Sequence, residues 1–323
     1  MINSFPLNET DVLFFDIFLK NNKIYLILPI YNEPYSTDDI IITIDTKRIQ
    51  NTTKYIKNGY EPILVYVYDY FVGESSKKIM VSVDYKNIIK AFQLEHILSS
   101  EIKHNKLTLT TLFKDDYTIF PFFYDYYKKQ GVSHFYMYYN GKITPEIRQL
   151  FGDNDITLIE WDFVYWNDMT LSKNKYQHHA QLGQIHHAIY KYGKDTNDYM
   201  IFCDFDEYLH IPNNTLFNFI NQYSNIDIIG FRNKWAETID YFDNSKANIF
   251  PSKLITSNPF RYAERSKNIY NLNAINTINI HFGHTYTKPN ITGYTDFFMY
   301  QFYKWTNSER IIREDCNIIE EII

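Results

Sequence analysis

The chain has 323 residues, 45% of them hydrophobic and 18% aromatic, with a net charge of -6. That length accommodates about two domains with sizeable cores, and the composition excludes both a disordered chain and a small disulfide-stapled scaffold. The acidic balance excludes a general nucleic-acid binder, which needs a basic field, so any phosphate must be bound locally.

The first residues, Met1 to Asp11, lack the basic-then-apolar pattern of a signal peptide, and no apolar run reaches about 18 residues. With two cysteines, Cys203 and Cys316, the expectation is a chain without a transmembrane segment in a reducing, cytoplasmic setting. From 12 to 98, short β-rich runs at 12–19, 23–30, 40–45, 62–71 and 79–85 are separated by polar turns, with Asn21-Asn22 reading as a tight hairpin and 75–78 as a longer loop. This pattern predicts a smaller β-rich, sandwich-like domain over 1–104, with a polar linker at 99–106.

After Lys106 strands alternate with helices, which predicts an α/β domain with a mostly parallel sheet over 105–323. A strand at 107–113 ends in Lys114-Asp115-Asp116, and an aromatic helix at 120–130 is closed by Gly131. A strand at 134–139 precedes a short helix at 145–151 with Pro145 near its start, and a third strand covers 156–161. The next helix, 172–192, carries His178, His179, His186 and His187 as adjacent pairs eight apart. No acid completes a His-Glu-x-x-His pattern, so these read as structural or surface histidines.

Met200, Ile201, Phe202 and Cys203 then form an apolar run that ends in Asp204, Asp206 and Glu207. Such a run suits a strand buried on both faces. Alternation along an extended chain puts Asp204 and Asp206 on one side, and Phe205 and Glu207 on the other. Two carboxylates on one face suit a hard divalent cation; a turn with solvated or salt-bridged acids is the plain alternative. Beyond it come a helix at 216–223, a strand at 226–231, an irregular stretch at 233–258, a strand at 274–282 reaching His281 and His284, and a charged helix from about 308.

Taken in order, Lys114-Asp115-Asp116, Gly131-Val132 with Tyr136, Trp161, Gln181, Asp204-Phe205-Asp206-Glu207-Tyr208-Leu209, Lys267 and His281 resemble the signatures of the family 92-like glycosyltransferases over 107–309. In that family the last acidic motif carries Phe where this chain has Tyr208, and a His-Tyr pair appears here as Phe302-Tyr303. Members commonly carry an N-terminal membrane anchor, which is not visible in this chain.

The resemblance implies an A-type glycosyltransferase fold, Rossmann-like, and transfer of a sugar with inversion from a nucleotide sugar such as a UDP-sugar to a hydroxyl of a glycan or glycoconjugate. It implies that Asp204 and Asp206, with His281 or His284, hold Mn2+ or Mg2+. Lys267 would meet the diphosphate, unless it is an ordinary surface lysine. Asp116, with Lys114 nearby, would bind the base or ribose, although on the residues alone Lys114-Asp115-Asp116 reads as a solvated turn, and Gln181 and Asp204 would complete the donor site. Inversion needs a carboxylate to deprotonate the acceptor, for which Glu237 is favoured and Asp240, Asp243 and Glu207 are alternatives. Trp235 would offer the acceptor sugar an apolar face if it is not a core residue, and Glu207, facing away from the metal side, would brace the site or the acceptor. The alternative from a different class is a non-catalytic carbohydrate-binding or structural protein built on a decayed transferase domain. A metal phosphoesterase is disfavoured because no second acidic cluster is apparent.

Overall fold

The computed structural model describes residues 2–29, 37–50, 53–56, 63–70, 77–165, 180–223, 225–238, 253–256, 266–278, 283–285, 291–302 and 319–322. The first of its two large sheets has eight strands, in the order Lys47–Ile49, Ile40–Ile44, Lys78–Tyr85, Ile88–Ile97, Asp16–Lys20, Lys23–Ile27, Ile63–Asp69 and Thr53–Ile56. Its pairs are antiparallel except where Ile88–Ile97 meets Asp16–Lys20. Three hairpins turn in two residues, at Asn21-Asn22, Asp45-Thr46 and Lys86-Asn87, each with positive φ at both positions. This is the backbone of a type I′ turn, which fits the right-handed twist of the flanking strands. Sequence reading misses Ile88–Ile97, where the exposed Ile88 and Ile89 break the apolar alternation. It also misses the two edge strands, Lys47–Ile49 and Thr53–Ile56, of which the first presents charge to solvent as edges commonly do.

The second sheet runs Ile156–Glu160, His134–Tyr139, Asn105–Phe113, Asn197–Phe202, Lys267–Asn271, Ile228–Thr238, Lys253–Thr256 and Ile319–Ile322. Glu207–His210 joins it through Ile291–Phe302. The first four strands are parallel, and Lys267–Asn271 lies antiparallel to Asn197–Phe202. A mixed α/β architecture is what the strand and helix alternation after Lys106 predicts.

Local chemistry accounts for the helix ends. Phe120–Lys129 has Pro121 in its first turn and buries Phe120, Phe123, Tyr126 and Tyr127 along one stripe. It closes in a Schellman motif, with Val132 N–H donating to Tyr127 O and Gly131 N–H to Lys128 O. Gly131 sits at φ 91, and a Cβ there would lie 2.3 Å from Phe217 Cβ, so both backbone and packing demand glycine. Thr144 caps Pro145–Leu150 by accepting the Ile147 N–H at 3.3 Å.

Three expectations change. The stretch from Asn233, read as irregular, continues the strand Ile228–Thr238, and a further strand, Lys253–Thr256, pairs beside it. The 274–282 strand is shorter, Ile275–Ile278, and pairs in a separate hairpin with Gly283–Thr285. The charged helix from 308 falls on residues outside those described up to 318, after which Ile319–Ile322 is a strand. Residues 75 and 76 of the 75–78 loop and residues 172–179 of the histidine helix also lie outside the described residues.

The helix Ala180–His187 and the π-helical turn Ala188–Gly193 that continues it lie between the two sheets. All eight residues of Ala180–His187 are buried. One apolar cluster joins Phe15, just before the strand Asp16–Lys20, and Phe18 and Val65 of the first sheet to Ile185 and Ile189 of the helix and its π-helical turn and to Tyr138, Ile159 and Phe202 of the second. His186 and His187 are therefore interior. His186 Nδ1 lies 2.7 Å from Leu182 O, and its Nε2 accepts the Ile278 N–H. His187 bonds Tyr138 Oη through Nδ1 and Asp16 Oδ2 through Nε2, at 2.7 and 2.9 Å. Lys191 Nζ donates to the same Asp16 oxygen at 2.7 Å.

Burial alone raises the Asp16 pKa, but Lys191 and His187 override it and hold the carboxyl down at about 2. Burial pushes the His187 imidazole down to about 4, against the pull of Asp16. The unfolded chain thus takes up a proton on this histidine between pH 6.5 and 4 that the folded chain refuses. His187 accordingly contributes stability above that window that is lost as pH falls through it, on the order of 3 kcal/mol. Nitrogen-15 NMR at pH 5.5, where a free histidine is mostly charged, is expected to show His187 neutral with its proton on Nε2. An imidazolium signal at that pH would contradict the buried arrangement.

Candidate functional site

Asn105–Phe113 and Asn197–Phe202 are neighbouring parallel strands, with Thr110 paired to Phe202. The chain leaves the first toward His134–Tyr139 on one side, and the second lies on the other, so this is a point where strand order reverses. Ligands of open α/β sheets bind outside the carboxyl ends of the strands at such a point. Lys114-Asp115-Asp116 follow one of these ends and Asp204-Phe205-Asp206-Glu207 follow the other.

The acidic segment is a turn rather than a continued strand. Glu207 N–H donates to Asp204 O at 3.0 Å, and Glu207 Oε2 accepts the Asp204 N–H at 2.8 Å. Phe205 pins the turn from below, 5.0 Å from the Phe113 ring and 5.1 Å from Phe123. Tyr127 fixes the far side, donating to Glu207 O and accepting the Leu209 N–H. Because the strand stops at Phe202, alternation does not extend to Glu207. Its carboxylate turns inward, and ligand atoms of Asp204, Asp206 and Glu207 lie within 4.8 Å of one another. Glu207 therefore does not face away from Asp204 and Asp206 as strand alternation predicts: it is 3% exposed and braces the turn through the Asp204 N–H and Lys267.

Lys267, the first residue of Lys267–Asn271, supplies the countercharge. Its ammonium is 3.0 Å from Glu207 Oε2, 3.4 Å from Asp204 Oδ2, and 4.7 Å from the centre of the Phe202 ring. At 2% exposure it is not an ordinary surface lysine. Burial alone lowers its pKa, but Asp204 and Glu207 override this and keep it charged. On the acid side, burial and the neighbouring Asp204 and Asp206 push Glu207 up, with Lys267 opposing. The ammonium's direction governs the pair, because Asp204, 36% exposed, stays a second partner for it.

Two further groups converge on Asp204. Gln181 Nε2 donates to its Oδ1 at 3.3 Å, and Tyr165 Oη donates to Gln181 Oε1 at 3.0 Å. Asp116 is close enough to feel Asp204: burial first, then the charges of Asp204 and Asp115, push its carboxyl up to about 6 against two backbone hydrogen bonds. Lys114 donates its backbone N–H to Asp116 at 3.4 Å, and its side chain is exposed.

The structure thus gathers Asp204, Asp206, Glu207, Lys267 and Gln181, with Asp116 alongside. Trp235 and Glu237 lie on Ile228–Thr238, whose Phe231 pairs with Lys267 and which runs on past Asp204's end of the sheet. Asp240, Asp243 and His281 fall outside the described residues; the His284 backbone pairs with Thr277 in the small hairpin. Sequence reasoning missed Tyr165, which sits in the loop after Ile156–Glu160 with no pattern to mark it.

Chemically, three carboxylates gathered around the Lys267 ammonium make a partly exposed set of oxygen ligands. Replacing Lys267 by methionine would remove the ammonium that pairs with both Asp204 and Glu207. The expected loss is about 3–5 kcal/mol at pH 7 in denaturant titrations. The loss should shrink at pH 5, because the crowded carboxylates of the folded variant then take up protons that neutralise them. An equal penalty at both pH values would mean that Lys267 serves packing rather than charge.

Comparison with known proteins bears on the same segment. The family model described as glycosyltransferase family 92 matches residues 109–314, well over half of the chain and inclusive of Gln181, Asp204, Asp206, Glu207 and Lys267. No curated protein sequence gives a significant match. With that span covered, the chain belongs to glycosyltransferase family 92.

Proposed function

We propose that this glycosyltransferase is metal-dependent, and that it moves a sugar from a UDP-sugar to a hydroxyl of a glycan or glycoconjugate with inversion. The observation that carries the reading is the carboxylate cluster at the strand-order reversal, with Asp204 and Asp206 partly open to solvent. The donor set fits a hard divalent ion, Mn2+ or Mg2+, since it consists of carboxylate oxygens. Asp204 and Asp206 would hold the ion, with His281 or His284 as an imidazole ligand. When bound, such an ion supplies positive charge against a departing diphosphate.

The chain's own groups divide the remaining work. Gln181 orients Asp204 through its amide, and Lys267 keeps Asp204 and Glu207 from repelling each other. Lys267 in this reading adds its charge to the diphosphate's surroundings from behind the carboxylates. Asp116, at the neighbouring strand end, would accept hydrogen bonds from the base or ribose, with Lys114 beside it. Glu237 is our choice of base, with Asp240 as the further candidate, and Trp235 as a sugar platform; the strand that carries Glu237 and Trp235 extends toward the acceptor side. Four parallel strands followed by an antiparallel one support an A-type fold over 105–323. Separate strand sets in the two sheets support a β-rich, sandwich-like domain over 1–104.

Calorimetric titration with UDP in the presence and absence of Mn2+ tests the site directly. Metal-dependent UDP binding is expected, and Asp206→Ala should weaken it at least about 100-fold without lowering the unfolding midpoint. Binding that ignores Mn2+, or survives in Asp206→Ala, removes the carboxylates from the donor site and favours a decayed, non-catalytic scaffold. A screen of nucleotide sugars for Mn2+-dependent hydrolysis then identifies the donor.

A further inference from the structure

We propose that the first-sheet strand Asp16–Lys20 and Phe15, which precedes it, are working parts of the transferase site, acting as positioning residues for Gln181. The inference rests on the reading of Asp204 as a donor-site ligand and concerns what holds Gln181 against it.

Gln181 lies on the buried helix Ala180–His187, which is anchored from the second sheet's side by Trp161, Thr110 and Tyr138 and from the first sheet's side by Phe15 and Asp16. Two residues after Gln181, Gly183 meets Phe15 so closely that a Cβ would lie 2.4 Å from two ring carbons. One turn further on, His187 Nε2 donates to Asp16, and Lys191 donates to the same oxygen. At the end of the π-helical turn, the Lys20 ammonium donates to the carbonyls of Tyr190 and Lys194, where a helix terminus presents unpaired acceptors. Asn21 adds a bond to Asp195 at 3.2 Å. On the opposite side, Tyr138 of the second sheet bonds His187 Nδ1 at 2.7 Å. The helix is therefore held between the sheets in one register.

Polar anchors matter here more than apolar ones would. An apolar interface tolerates small slides, but a helix shifted by one residue moves about 1.5 Å and rotates about 100°, taking His187 and Lys191 away from Asp16. Asp16 would then be a buried charge without a countercharge, left with the Asn3 N–H alone, a costly state. The clamp thus fixes the helix at the position that brings Gln181 Nε2 within 3.3 Å of Asp204 Oδ1. Gly183 contributes by letting the helix sit close against Phe15, and a methyl group there would push it off.

A double-mutant cycle in the full chain distinguishes positioning from general stability, with UDP and Mn2+ as the calorimetric probe. Gly183→Ala is expected to weaken binding about tenfold, as outer-shell substitutions around metal sites do. Gln181→Ala should weaken it comparably, and the double variant should bind no worse than Gln181→Ala alone, because Gly183 acts through Gln181. Adding Phe15→Leu to Gly183→Ala restores room for the methyl group and is expected to recover binding. Additive losses, or wild-type binding by folded Gly183→Ala, would overturn the proposal. If Gly183→Ala does not fold, Asp16→Asn, which keeps size and removes charge, runs the same cycle with the same two outcomes. Asp204→Ala separates the layers. Undiminished Mn2+-dependent binding there defeats the donor-site reading and this inference with it, whereas lost binding together with additive cycles defeats this inference alone.

Discussion

The turn that joins Asp204 to Glu207 places acids where electrostatics alone would not keep them, and the transferase half is arranged to hold it. Three carboxylates share a space of a few ångströms, and one buried ammonium answers them. Repulsion among such groups amounts to several kcal/mol at a partly buried site. What offsets it is geometry supplied from outside the turn: Phe205 seated among aromatic rings, Tyr127 bonded to the backbone on the far side, and Glu207 bonded back to the Asp204 N–H. The aromatic helix Phe120–Lys129, which contributes Phe123 and Tyr127, is thus part of the site's support as well as of the core.

The same demand explains the chain's second unusual element. A helix buried on every side must be covered by two layers, and here each layer comes from a different sheet. Its charged and polar residues are not exposed at a surface but find partners inward: His187 and Lys191 at Asp16, His186 at Leu182 and Ile278, Gln181 at Asp204, and Gln184, through its amide nitrogen alone, at Thr110. Each bond removes a position the helix could otherwise adopt. A polar interior of this kind stabilises little relative to an apolar one but selects a single register. That trade suits an element with a site residue near its beginning.

Much of the second sheet was legible because its signals are local. Gly131 stops a helix by φ, Pro145 starts one, and an apolar run from Met200 marks a doubly buried strand. Asp204 and Asp206 were legible for the same reason, since acids after a buried strand are unusual by themselves. Glu207 was misread because the period-two rule was carried past the strand's last residue, and only the packing of Phe205 reveals that the chain turns there. The Asp16 clamp was not legible at all: its partners are 171 and 175 residues away, and no spacing rule reaches that far. Ile88–Ile97 was lost to the opposite cause, a real strand whose apolar residues are partly on the outside.

The buried lysine also sets what the fold requires of an ion. Lys267 contacts two of the three acids, so the cluster is held together from within the chain, and the core beneath the turn does not wait on a ligand to form. Asp204 and Asp206 are the acids that stay partly open to solvent. With this division the inner side of the cluster is neutralised by the protein's own cation, and the outer side meets solvent. Glu207 belongs to the inner side by its burial and its bond to the turn's backbone, which is why the residue next to the paired aspartates is glutamate, with the reach to fold back onto the Asp204 N–H.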